Sequence, residues 1–386
     1  MSRFLFVVPP LVGHINPTVG VAAELAARGH RVAWVCPDPE LVGRLAGADV
    51  TVFGCAGAAQ GERPAELRGP EALKFLWEWY LLPLAEAMAP GVRAAVEVFG
   101  PDVVVSDQQA FAGAFTAERL GLPWATSATT SAEFTDPLAG LPKVREWVRD
   151  RLAELRAAVG DPARDTDPRF SPHLVLAFSA AELAGSAAGV RWVGPSIAGR
   201  PSSSGFPWEW LDPGRAKVLV TLGTANTDVG GRFLDVCREA LRERADRVQA
   251  VLVDPGGTLD VPGDDKDLLV VPSVPQLALL ERGVDAVVCH AGHNTVCEAL
   301  WFGVPLVVAP IRDDQPVVAG QVVDAGAGVR VRFGRVTAPK LGAALDAVLH
   351  EPGHRDAAGR IGSALRAAGG APAAADRLDE LAREFG

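Results

Sequence analysis

Two histidine-bearing segments and one carboxylate–amide pair hold the side chains best suited to chemistry. The first segment is FLFVVPPLVGHINPTVG, Phe4 to Gly20, which carries His14 and Asn16 beyond an apolar run that Pro9 and Pro10 interrupt. A neutral imidazole with a pKa near about 7 can accept a proton as a bond forms nearby. The second is VVCHAGHNTVCEALWFGVPLVVAPIRDDQP, Val287 to Pro316, in which the turn His290-Ala-Gly-His-Asn294 joins a strand-like run to a helix-like one. A helix start has unpaired N–H groups and partial positive charge, so it suits an anion such as a diphosphate. Gly292 lets a ligand approach the backbone, His290, Asn294 and Thr295 add side-chain donors, and Glu298 can bond a pair of hydroxyls. Asp314 and Gln315 supply an acceptor and an amide suited to sugar hydroxyls. Each cluster alone also reads as structure: a βα turn, and a polar turn before a helix opening at Pro316.

These residues need a scaffold that delivers them to one edge. Phe4–Val8 reads as a buried strand that stops abruptly, and Val19, Ala22, Ala23 and Ala26 fall at helical spacing up to Gly29, which places His14 and Asn16 in the intervening loop. In open α/β sheets such loops face the ligand crevice. Further strands are expected at Arg31–Val35, Val103–Ser106, Trp124–Ser127 and Leu174–Phe178, with helices at Pro70–Met88, Phe111–Leu120 and Lys143–Val159. The Gly-, Pro- and Ser-rich stretch from Gly194 to Arg215 reads as a linker. A second series follows: Val218–Thr221, Val248–Val253, Leu268–Val271, Ala286–Cys289, Leu306–Ala309 and Val329–Arg332, with a helix at Thr295–Phe302 and a last one at Ala373–Phe385. The expected architecture is two parallel-sheet α/β domains facing across a cleft: residues 1–198, a linker at 199–215, and residues 216–386, the last helix packing back on the first domain.

Composition narrows the function classes. The chain has 386 residues, 48% apolar and 22% charged, enough for two sizeable cores. A formal charge of −10 argues against nucleic acid or an anionic membrane as partner. No apolar run approaches the roughly 18 residues that span a bilayer. The start lacks the charge and cleavage pattern of a secretion signal. Five cysteines without a C-x-x-C suit a reducing cytoplasm and give no metal signature. The G-x-G-x-x-G fingerprint is missing after the first strand and no P-loop occurs, which disfavours a dinucleotide oxidoreductase and a P-loop kinase or ATPase. The run Asp264-Asp265-Lys266-Asp267 reads as a charged surface, not a metal site.

Four motifs in order resemble the family 1 (UDP-glycosyltransferase-like) enzymes of the GT-B fold: PPLVGHINP at the start, VTLGT (Val220–Thr224), VPSVPQLALL (Val271–Leu280), and the His290–Pro305 segment with its Asp314-Gln315. Within that family the chain resembles the bacterial natural-product glycosyltransferases. The resemblance implies that His290, Gly292, Asn294 and Thr295 hold a nucleotide diphosphate with help from Thr224. It likewise implies Glu298 on the ribose, Val274 and Gln276 at the base, and Asp314 and Gln315 on the transferred sugar. Ala291 and His293 depart from the small residues common in that turn; His293 reads either as a second phosphate donor or as a helix-start residue. Plant relatives stack a tryptophan on the base where this chain has PSVPQ, so uracil and thymine are not distinguished and the donor is a UDP- or TDP-sugar.

An acceptor hydroxyl is a poor nucleophile, so the reaction needs a base. His14 fits, provided a carboxylate fixes its tautomer; Asp107 follows the strand Val103–Ser106 at the same expected sheet edge, and the family carries this pair at equivalent positions. Asp107 reads alternatively as a cap for the helix near Phe111. Phe75, Leu76, Trp77, Trp79 and Tyr80 crowd one segment; Trp77 and Trp79 cannot share a helix face. Such a stripe reads as core or as ligand site, and the resemblance implies that it lines the acceptor pocket, with Asn16 and Phe134 contributing. The reading is thus an inverting, metal-independent hexosyltransferase acting on an apolar natural-product aglycone, cytoplasmic, monomeric or homodimeric, with no tightly bound cofactor. A nucleotide-sugar-binding helper protein and a nucleotide-sugar epimerase are the alternatives.

Overall fold

Short apolar runs bounded by proline, glycine and polar residues become parallel strands buried on both faces, as their continuous Val/Leu/Ile character requires. A computed structural model describes residues 1–58, 64, 67, 69–136, 138–197, 205–223, 230–260 and 265–386. It divides into two units.

The first unit holds seven parallel strands: β1 (Arg3–Val7), β2 (Arg31–Cys36), β3 (Thr51–Gly54), β4 (Val103–Asp107), β5 (Trp124–Ala128), β6 (Leu174–Ala177) and β7 (Val190–Trp192). Their order is β3-β2-β1-β4-β5-β6-β7. Alternate residues of β1 serve opposite faces. Phe4 and Phe6 pack under the helix Val12–Ala27 and the last helix, Gly370–Phe385, through Ile15, Val19, Ala374 and Leu378. Leu5 and Val7 pack under the helices Leu82–Phe99 and Phe111–Leu120. The last helix therefore belongs to the first unit, where Arg28 also reaches Asp376 and Asp379.

The second unit has six parallel strands: β8 (Ala216–Thr221), β9 (Val248–Val253), β10 (Leu268–Val271), β11 (Ala286–Cys289), β12 (Leu306–Val308) and β13 (Gly328–Arg330). They lie in the order β10-β9-β8-β11-β12-β13. Its core includes Phe233, Leu234 and Leu241 from the helix Gly231–Arg242 and Leu341 and Leu345 from the helix Ala338–His350.

Three expectations are corrected. The first helix opens at Val12 rather than after Pro17, so His14 and Asn16 stand in its first turns and not in a loop. Pro17 is tolerated because its missing N–H removes only one bond close to the helix start. The helix starting near Pro70 does not stop at Met88: it runs Gly69–Phe75, widens to a π-helix at Leu76–Leu81, and continues over Leu82–Phe99 until Gly100 turns left-handed. Residues 205–215, expected as linker, are tied to the second unit: Trp210 donates to the Asp265 carbonyl at 2.8 Å, and Arg215 pairs with Asp267 at 2.6 Å.

Candidate active site

In the first sheet the strand order reverses between β1 and β4. The helix after β1 covers one face and the helix after β4 covers the other, so the chain diverges there and opens a crevice at the C-terminal ends. Gly113 lets the helix after β4 sit close on the sheet: a Cβ on it would lie 2.5 Å from the Ser106 hydroxyl and 2.9 Å from Val7. Asp107 ends β4 and is wholly buried. His14 meets it from the first helix, with Nδ1 2.9 Å from each carboxylate oxygen. The Gln109 N–H donates to Asp107 Oδ1 at 2.8 Å, and the Thr129 hydroxyl donates to Oδ2 at 3.2 Å. A carboxylate in that setting accepts only, so His14 carries its hydrogen on Nδ1 and none on Nε2. Asp107 is thus more than a helix cap.

The second sheet repeats the layout at β8 and β11, where Thr221 pairs with Cys289 and the order again reverses. The chain continues from β11 through His290, Ala291 and Gly292 into a helix spanning His293–Trp301, two residues earlier than expected. Gly292 is the N-cap and brings no side chain to the helix end. Ala291 adopts φ 66°, a conformation L-residues adopt at some strain, which turns the chain sharply into the helix. His290 is buried against the turn after β8: a Cβ on Gly223 (φ 70°) would stand 2.7 Å from its Cε1. Burial, with the Arg312 charge adding to it, lowers the His290 pKa to about 4. The ring is therefore neutral at pH 7, and its one N–H is engaged by the Thr221 backbone, a bond that opposes the shift.

Gln276 opens the short helix Gln276–Glu281 and donates to Glu298 at 2.6 Å, so the two residues expected at base and ribose stand together. Val274 is half-buried beside them, its carbonyl accepting from the Gln276 N–H. Gln315 is partly diverted from its expected role. Its side-chain oxygen accepts from the Ile311 and Arg312 N–H groups at 2.9 and 3.1 Å, leaving only its NH2 to face a ligand. Asp314 is the half-buried N-cap of the helix Gln315–Asp324. His293 is buried, its Nε2 3.4 Å from the Cys297 thiol one turn on. Thr224 lies outside the described residues.

Known proteins resemble this chain over most of its length. The family described as "UDP-glucoronosyl and UDP-glucosyl transferase" matches residues 229–366. The chain is 30% identical to a 4'-demethylrebeccamycin synthase of Lentzea aerocolonigenes, over 93% of this chain and 94% of that one. It is likewise 30% identical to a demethyllactenocin mycarosyltransferase of Streptomyces fradiae, over 99% and 87% of the two chains. The chain belongs to the family 1 glycosyltransferases. Its fold is GT-B: the spinosyn rhamnosyltransferase SpnG, solved with thymidine diphosphate, superposes with a TM-score of 0.78 at 24% identity, over 98% of this chain and all of that one.

For this glycosyltransferase, the aromatic segment divides as helical spacing requires. Trp77 is buried between Phe111 and Trp147, ring centroids 5.7 and 6.3 Å away, under the Arg169 guanidinium. Trp79 is 62% exposed and stacks on Phe75 at 5.9 Å. Trp77 is thus core and Trp79 surface. Tyr80 lies between two hydrophobic clusters, its hydroxyl buried without a hydrogen-bond partner. Burial, and then the Asp107 charge, push its phenol pKa up. Phe134 packs on Phe170 and Trp192 in a separate cluster. Asn16 is two residues from His14 on one helix, so the two point to different faces. The residue that sequence reasoning missed is Thr129, whose oxygen lies 2.9 Å from His14 Nδ1. The one signal for it was a polar Thr-Thr-Ser run directly after a buried strand.

Proposed function

We propose that this protein transfers a hexose or deoxyhexose from a UDP- or TDP-sugar to an apolar natural-product aglycone, with inversion at the anomeric carbon. The observation that carries the reading is the His14–Asp107 pair: a wholly buried carboxylate at 2.9 Å fixes the imidazole and leaves Nε2 to remove the acceptor proton. The acceptor oxygen attacks the anomeric carbon as the bond to the nucleotide diphosphate breaks. The diphosphate leaves onto the N-terminus of the helix His293–Trp301, with Asn294 and Thr295 as donors and the neutral His290 beside them. That terminus supplies positive charge, so the step calls for no metal ion. Gln276 and Val274 take the base, Glu298 the ribose, and Asp314 with the Gln315 NH2 the sugar. The natural-product names of the relatives and the thymidine diphosphate of the rhamnosyltransferase support the choice of acceptor and donor.

A partly buried aromatic segment ending at Tyr80, close enough to Asp107 to feel its charge, supports a flat apolar acceptor. Five free thiols fit a reaction carried out in a reducing cytoplasm. The test is incubation of the purified protein with UDP- and TDP-sugars and a panel of polyketide and macrolide aglycones. A β-glycoside from an α-linked donor is expected, and its anomeric coupling is read by NMR. Retention at the anomeric carbon, or epimerised donor without transfer, overturns the reading.

A further inference from the structure

Thr129 stands immediately past β5, whose Ser127 lies opposite Asp107 in the sheet, and it is 5% exposed. Its hydroxyl oxygen is 2.9 Å from His14 Nδ1 and 3.2 Å from Asp107 Oδ2. The bookkeeping of hydrogens leaves one arrangement. The carboxylate has no proton to give and His14 holds its own on Nδ1, so the Thr129 hydrogen points at Oδ2 and its lone pair faces the Nδ1–H. The hydroxyl dipole then has its negative end on the imidazole and its positive end on the carboxylate. Such a dipole favours imidazolium beside carboxylate, the charge state produced when His14 takes a proton. It also pins the carboxylate from one side, while the Gln109 N–H holds the other oxygen at 2.8 Å.

We propose that Thr129 is a positioning residue of the general base: its hydroxyl bridges His14 and Asp107, holds ring and carboxylate in register, and makes the imidazole a stronger base. The inference rests on the role given to His14 above. It assigns a third side chain to the pair, 22 residues from Asp107 and 115 from His14 in sequence.

The test compares wild type, Thr129→Val and Thr129→Ser in two measurements. The first is the NMR titration of the His14 imidazole in the full-length protein without substrates, assigned with His14→Gln. Removing one such hydrogen-bonding dipole is expected to lower the midpoint by about half a pH unit in the valine variant, and the serine variant restores it. The second is the pH profile of kcat and kcat/KM for glycosyl transfer. The valine variant is expected to lose roughly tenfold in kcat, with donor and acceptor KM changed less than about twofold and the acid limb shifted the same way. The serine variant recovers both.

An unmoved His14 midpoint in a folded valine variant overturns the proposal. So does a loss that serine fails to rescue, or one that falls on KM alone. Should the valine variant not fold, Thr129→Ala, which leaves room for water, is measured instead with the same criteria. The titration uses no substrate, so an inactive wild type defeats the functional reading without touching this test. An active wild type with an unmoved midpoint defeats only the role of Thr129.

Discussion

The two units place a histidine at the same topological point and give it opposite electrostatics. His14, beside the β1–β4 reversal, faces a buried carboxylate at 2.9 Å and keeps 15% of its side chain exposed. His290, beside the β8–β11 reversal, is almost closed off by Gly223 and Gly292, and its pKa is lowered to about 4. One imidazole is paired with a carboxylate, and burial holds the other neutral. The doubly wound sheet decides where a functional side chain stands; the partner on the neighbouring strand decides what it does. At β4 that partner is Asp107, and at β8 it is the Thr221 backbone ahead of a turn with no carboxylate side chain, Leu222-Gly223.

The sharpest way to break the comparison is to remove each member. His14→Ala is expected to lower turnover by about 10³-fold or more while the melting shift with UDP or TDP persists. Asp107→Asn should cost about 10²-fold, because an amide NH2 facing Nδ1 favours the wrong tautomer. Wild-type turnover in either variant, measured under saturating donor, removes the general-base assignment.

Gly223→Ala probes the other side. The added Cβ falls 2.7 Å from the His290 ring at a residue with φ 70°, so ring and turn must both shift. Donor affinity is expected to drop about tenfold, with kcat at saturation little changed. A variant that binds donor like wild type would show that the contact between the two turns is not part of the donor site.

His290 also leaves a mark on stability. Between about pH 6.5 and 4 the unfolded chain takes up a proton that the folded chain refuses, so native stability declines as pH falls through that window. The loss is expected to reach about 2 kcal/mol at pH 5, read as a lower urea midpoint than at pH 7. His290→Asn should remove that part of the pH dependence. The arginine-paired Asp346, held below its ordinary 3.8, acts only at lower pH. Equal pH dependence in wild type and variant would place His290 in water.

Much of this was legible in the sequence because parallel strands buried on both faces read as unbroken apolar runs. Phe4–Val8, Val103–Ser106 and Ala286–Cys289 fall within one residue of β1, β4 and β11, and those strands carry the sites. The edge strands β3 and β7 went unread: Thr51–Gly54 is half-exposed and Val190–Trp192 has only three residues. Pro17 concealed a helix that begins five residues before it. Thr129 was harder to read for a different reason. Its role exists only where β4 and β5 come side by side, and nothing at 129 in the chain announces a neighbour at 14. Gln315 shows a limit of another kind: its amide was legible as a sugar contact, but not that its own loop occupies the oxygen and leaves the NH2.

Tyr80→Phe is the mildest change and separates the two kinds of burial around Asp107. The Tyr80 hydroxyl is buried without a protein partner, so the folded chain gives up hydration there and gains nothing in return. Deleting it is expected to leave stability unchanged or raise it by about 1 kcal/mol, read as a higher urea midpoint. If the Tyr80 hydroxyl meets an oxygen of the acceptor, the same variant shows an acceptor KM several-fold higher with donor KM and the acid limb of the pH profile unmoved. That pattern is the complement of Thr129→Val, which alters kcat and the limb but leaves KM. A Tyr80→Phe enzyme with an unchanged acceptor KM would return Tyr80 to the core beside Trp77 and leave the acceptor to be held by other side chains.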